Sequence, residues 1–122
     1  FMVAMPRLSR SPAGMMLLFA ISIGNLGAVV FPCDAGCPLT GSRSQLFHNA
    51  CGLAEYLMGG IASLLPGQPG APWLNHWLGV GVILCLVFMS LPVMPYRGVI
   101  QRTAELCLYF QLIRVSAVPV RD

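Results

Sequence analysis

Residues 12–31 run for twenty positions without one ionisable side chain. Coiled into a helix at ~1.5 Å per residue, such a run is ~30 Å long, the thickness of a bilayer's hydrocarbon core. The remaining sequence has the same character. Only 9% of the 122 residues are charged and 57% are hydrophobic, whereas soluble domains are typically about 25% charged. With a mean hydropathy of +0.76, the chain has more apolar surface than one small core can bury. The expectation is an all-α fold: a polytopic transmembrane helical bundle of about four spans, forming a single domain over residues 1–122.

Three further stretches complete that count. Residues 46–65 form the second span, with His48 and Glu55 inside it. Residues 73–94 form the third, opened by Trp73 and Trp77 one helical turn apart, as interfacial anchors are, and closed by Pro92, Pro95, Tyr96 and Arg97. The fourth, 99–118, carries Arg102, Glu105 and Arg114. Snorkelling arginines lengthen such a span, and the i,i+3 spacing of Arg102 and Glu105 lets them neutralise each other; an interfacial helix is the alternative. Turn-formers fill the connections: Pro32, Gly36, Pro38, Gly41 and Ser42 in the first, and the uncharged segment 66–72 in the second. Arg7 and Arg10 precede the first span, but its apolar run exceeds the ~7–15 residues of a signal-peptide core and no A-x-A site follows. Ala35-Gly36-Cys37 is similar to a lipoprotein cleavage site, yet Asp34 stands where an aliphatic residue is needed. The first span therefore reads as uncleaved.

The net charge of +3 comes from seven arginines and no lysine against four acids. Arg7, Arg10, Arg43, Arg97, Arg102, Arg114 and Arg121 are scattered at the edges of apolar stretches, so no basic face exists for nucleic acid. Four spans put both termini on one side, and arginines on the two sides number four against three, which does not orient the chain. A disulfide between Cys33 and Cys37 would place their loop in an oxidising compartment and the termini in the cytoplasm.

Most of the reactive side chains fall in 31–55, FPCDAGCPLTGSRSQLFHNACGLAE. Cys33 and Cys37 stand three residues apart in a Pro/Gly loop. A structural disulfide, two free thiols, or a metal site with His48 and Asp34 as further candidates all remain open; thiolate and imidazole suit zinc, copper(I) or iron. Glu55 lies ten positions into a span, where a carboxylate faces the bundle interior or a polar cavity. It is expected either protonated or paired with Arg102, Asn25 or His48, serving as a packing hydrogen bond or as a proton- or ligand-binding group. Cys51, Cys85 and Cys107 read as small packing residues. Gly24, Gly27, Gly52, Gly59, Gly60, Ser63, Gly79 and Gly81 allow close helix approach, with Gly59 and Ser63 as a small-xxx-small pair. No catalytic set and no cofactor motif is recognisable.

The segment 31–52, FPCDAGCPLTGSRSQLFHNACG, resembles the signature of the bacterial membrane family known as domain of unknown function 998: an F-P-C-D-x-G-C loop, an S-x-S-Q approach, then H-N-x-x-G. Gly98-Val99-Ile100-Gln101-Arg102 resembles that family's G-x-x-Q-R helix opening. The resemblance runs from Pro12 onward and covers the C-terminal two-thirds of the family pattern, whose members usually have about six spans and a further polar motif near S-E-L-G. It implies a bacterial inner-membrane, multi-pass architecture, and it singles out Cys33, Asp34, Cys37, His48 and Asn49. This chain would then be a shortened member, a fragment, or a subunit completed by other helices.

Three functions follow as expectations. The first is a non-enzymatic subunit packed among other membrane subunits and lipid. The second is a membrane-embedded redox or metal-dependent enzyme using Cys33, Cys37 and His48. The third is a small transporter or lipid-handling protein with Glu55 in its pathway.

Overall fold

The computed structural model describes residues 11–66, 68, 70–92 and 96–117. Four helices follow one another: α1 (Pro12–Val30), α2 (Arg43–Leu64), α3 (Pro72–Met89) and α4 (Arg97–Ala117). Among the described residues they are the only regular secondary structure. By length and composition α1 and α3 could each cross a membrane.

Local chemistry explains the ends. Ser11 caps α1, its hydroxyl accepting from the Gly14 N–H at 2.9 Å, and Pro12 fills the first helical position, where a missing N–H costs nothing. Ser42 caps α2 in the same way, accepting from Gln45 N–H at 3.2 Å. That cap starts α2 at Arg43, three residues before the apolar run at 46 announces it. The third helix stops at Met89, short of the expected 94. Pro92 disfavours helical geometry at Leu91, and the Ser90 hydroxyl turns back onto the Leu86 carbonyl at 2.9 Å. The expected positions 93, 94 and 118, and the arginines at 7, 10 and 121, lie outside the described residues.

The helices alternate in direction. Gly24 and Gly27 of α1 pack on Glu55 and Cys51 of α2, Gly60 of α2 packs on Gly79 of α3, and Asn75 of α3 meets Gln111 of α4. Sequential helices pack along their lengths, whereas α4 meets α1 and α2 more sparingly. A cleft therefore opens between α1 and α4. Leu17, Ile21, Tyr56, Ala62, Val82, Met89, Ala104 and Leu108 form the apolar core.

Polarity is distributed the wrong way round for water. Gln45 and Gln111 have 0% of their surface exposed and Glu55 only 6%, while Trp73 and Trp77 are each 66% exposed and Leu106 68%. Phe19, Leu26, Val29, Leu84, Val99 and Ile113 also face outward.

The glycines do not all serve one purpose. A Cβ on Gly79 would lie 2.9 Å from the Gly60 carbonyl oxygen, a backbone atom that cannot turn aside, so this pair sets the α2–α3 crossing. Gly59 instead receives Leu108 of α4, and Ser63 bonds back to the Gly59 carbonyl at 2.9 Å. Gly81 faces open space, and at Gly52 a Cβ would make only ordinary contact with Tyr56, so neither supports the close approach expected of it. Gly79→Ala should therefore cost about 1–3 kcal/mol through overpacking, whereas Gly81→Ala on the same helix should cost nothing. Thermal unfolding of the two purified variants checks the pair.

Candidate functional site

The connection between α1 and α2 is tied down at nearly every residue of its signature. Cys33 and Cys37 stand at disulfide distance, with sulfurs 2.05 Å apart. Between them a tight turn closes by a bond from Cys37 N–H to the Asp34 carbonyl at 2.9 Å, with Gly36 at φ +79°, a conformation that glycine adopts without strain. The Asp34 carboxylate accepts from the Ser42 N–H at 2.8 Å and the Ser42 hydroxyl at 2.7 Å. These two donors hold the Asp34 carboxyl below the ordinary carboxylate range. Gly41 is needed here, because a Cβ would overlap that carboxylate.

Gln45 is the keystone of the dock. Its Oε1 accepts from the Asp34 N–H at 2.7 Å, and its amide nitrogen donates to Asn49 Oδ1 at 2.8 Å. Asn49 in turn donates to the Leu39 carbonyl at 2.9 Å, and Ser44 to the Pro32 carbonyl at 2.9 Å. Phe31 stacks on Phe47 with ring centroids 5.0 Å apart. His48 Nδ1 lies 2.9 Å from the Phe31 carbonyl oxygen. A carbonyl only accepts, so Nδ1 carries the proton of this bond. From α4, Arg97 donates to the Cys37 carbonyl at 3.3 Å and the Leu91 carbonyl at 3.0 Å.

Cys33, Cys37 and His48 thus meet, with potential ligand atoms all within 4.8 Å of one another. Paired sulfurs are not thiolate ligands, so the arrangement could hold a soft metal ion only after reduction. Asp34 is engaged by Ser42 rather than aimed at the sulfurs.

Two cavities lie beneath the loop. The larger, about 230 Å³, opens between α2, α3 and α4, and Arg97, Asn49, Leu53, Leu86 and Met89 are among its walls. The smaller, about 170 Å³, lies in the cleft between α1, α2 and α4, against Asn25, Glu55, Arg102, Glu105 and Tyr109. His48, Gly52, Tyr56 and Gln101 line both. Glu55 sits away from the sulfurs, and its carboxylate rests on the α1 backbone at Gly24. None of its expected partners reaches it. Arg102 pairs with Glu105 at 2.6 Å, Asn25 accepts from Tyr109 at 2.9 Å, and His48 is held by Phe31. Among the described residues Glu55 makes no hydrogen bond, while Glu105 also accepts from Gln101 at 3.1 Å and Tyr56 at 3.3 Å.

A third polar group occupies the opposite end of the bundle and was not expected. Gln111 donates to Gln68 Oε1 at 3.2 Å and Asn75 Oδ1 at 3.1 Å; Arg114 donates to Gln111 Oε1 at 3.1 Å and also bonds Asn75. The signal available was simply that Asn75 and Gln111 are amides inside apolar stretches, where they need partners on other helices.

A disulfide-distance loop docked by Gln45 and Asn49 onto an antiparallel four-helix bundle, whose apolar core is interrupted by a few buried polar side chains, defines the class of protein. The chain belongs to the family described as Protein of unknown function (DUF998), whose model matches residues 1–118. The match begins ahead of the segment that carries the resemblance. No curated protein and no solved structure matches it.

The Asp34 dock sets a pH dependence. Its folded pKa is lowered from 3.8, so the carboxylate's contribution is complete above that value and disappears as pH falls through the folded pKa. Loop protection against proteolysis should therefore weaken below about pH 4. Asp34→Asn should be less protected at pH 7 and should flatten the acid limb of that profile.

Proposed function

We propose that this chain is a four-span integral membrane protein of the bacterial inner membrane, acting as a non-catalytic subunit packed against other helices of a larger assembly. One observation carries the reading: amides and acids line the interior while large apolar side chains cover the outside, with a charged cleft open on one flank. In water an exterior of Phe19, Leu26, Val29 and Leu84 would be an aggregation surface; against lipid it is ordinary. Trp73 and Trp77 at one end and Tyr96 at the other suit the two membrane interfaces. With Cys33 and Cys37 bonded, the loop belongs on the oxidising side and the termini in the cytoplasm.

The open cleft supports a subunit rather than a solitary protein. Arg102, its side chain 76% exposed, and Glu105 stand in the first half of α4, on the cleft that α1 and α2 flank. A charge pair facing lipid is costly, and further helices would cover it. A photocross-linking residue at Leu106 in native membranes should give a discrete adduct, and the native particle should be larger than one chain. The same residue at Leu84 on α3 should give lipid adducts. A lone, stable monomer with no protein adduct at Leu106 would defeat the subunit reading.

A second reading rests on Glu55, a carboxyl group without a partner among the described residues, beside a polar cavity. Such a group could carry a proton through the bundle. In proteoliposomes enclosing a pH dye, Glu55→Gln should reduce any proton flux by on the order of ten-fold or more, as loss of a relay group does. Unchanged flux in a folded variant would remove Glu55 from the pathway.

A further inference from the structure

The larger cavity carries an unbalanced charge. Arg97 forms part of its wall, yet among the described residues its terminal nitrogens are engaged only by the carbonyls of Cys37 and Leu91. Its Nε, like that of Arg114, is shut off from solvent and has no partner among the described residues. Carbonyl dipoles orient a guanidinium without neutralising it, and the only ion pair among the described residues is Arg102 with Glu105. Arg97 is also the first residue of the 21-residue helix α4, whose positive dipole end adds to the same field.

The cavity's other walls have a direction. Asn49 and Ser90 join Arg97 at the loop end, whereas Leu53 and Leu86 lie deeper. Leu53 is ten residues along α2, roughly 15 Å from its start. Beyond the shared wall, the smaller cavity carries two acids, Glu55 and Glu105, against the one cation Arg102, which is already paired with Glu105.

We propose that this cavity binds a single-chain anionic amphiphile, its phosphate or carboxylate head at Arg97 and its alkyl chain running inward past Leu53 and Leu86. The site rests on the membrane reading, because the chain must enter from the bilayer. Arg97 supplies the charge, and the apolar walls take the tail.

Photolabelling in phosphatidylcholine nanodiscs tests the site. The probe is dodecyl phosphate bearing a diazirine on its chain, and labelled peptides are mapped by mass spectrometry. Labels should fall on Leu86 and on Met89, which is only 8% exposed. Arg97→Gln should reduce them by at least about ten-fold, as loss of a charge-assisted contact does, and Arg97→Lys should restore part. Because Arg97 also holds the loop, Leu86→Trp provides a variant that fills the cavity and leaves the loop untouched; it should block labelling too. Dodecyl phosphate and dodecanoate should compete to extents that identify the preferred head group, while inorganic phosphate and dodecyltrimethylammonium should not. Competition by inorganic phosphate, equal competition by the cation, or labelling indifferent to both variants would overturn the proposal. A diazirine phosphatidylcholine in the same discs should label outward-facing Leu84 and Val87, 51% and 53% exposed. Loss of that bulk label means that the membrane reading has failed, and the site with it; bulk label without cavity label means that only the site has failed.

Discussion

Two wholly buried glutamines anchor the two ends of this bundle, and the rest of the structure depends on their amides being satisfied. An amide left unpaired in an apolar interior costs about 1–3 kcal/mol, so each glutamine dictates where its neighbours stand. Gln45 fixes the first connection to α2 by accepting from Asp34 and donating to Asn49. Gln111 fixes α4 to α3 and to the 65–71 connection by donating to Asn75 and Gln68. Between them, packing is apolar and set by small residues, notably the backbone contact of Gly60 with Gly79.

The loop signature gains a physical meaning from this. Ser42 donates twice to the Asp34 carboxylate, Ser44 holds Pro32, His48 holds Phe31, and Arg97 reaches from α4 to Cys37. Each is a brace on a segment whose turn-formers would otherwise leave it mobile. The apparent reactivity of the segment is thereby reduced: its acid is bonded to serine, its sulfurs stand at bonding distance, and one imidazole nitrogen is committed to a carbonyl. Among the described residues Glu55 and the Arg97 Nε have no partner and lie at the two cavities, while the Arg114 Nε is likewise unpaired at the far end of the bundle.

Two of the helices, α1 and α3, were legible as apolar runs of about twenty residues, while α2 and α4 had to be read through His48, Glu55, Arg102, Glu105 and Arg114 inside them. The helix ends were less legible. The start of α2 depends on the Ser42 cap and the stop of α3 on Pro92, which act locally and do not follow the apolar pattern. The meeting of Cys33, Cys37 and His48 was open to sequence reasoning, since a short loop and the first turns of the next helix cannot lie far apart. Partners 36 to 84 residues apart, such as Asn75 with Gln111 or Asn25 with Tyr109, were not. For Glu55 every proposed partner was chemically sound, and each had found a nearer one.

The central claim is that lipid surrounds the outward-facing apolar side chains while polar groups organise the interior. Spin labels at Phe19, Leu84 and Ile113, in a background where the free cysteines Cys51, Cys85 and Cys107 are replaced by alanine, test it directly in reconstituted bilayers. The account predicts relaxation by dissolved oxygen and little by a water-soluble nickel chelate at all three positions. Strong nickel accessibility there, with oxygen accessibility no higher than in buffer, would contradict it.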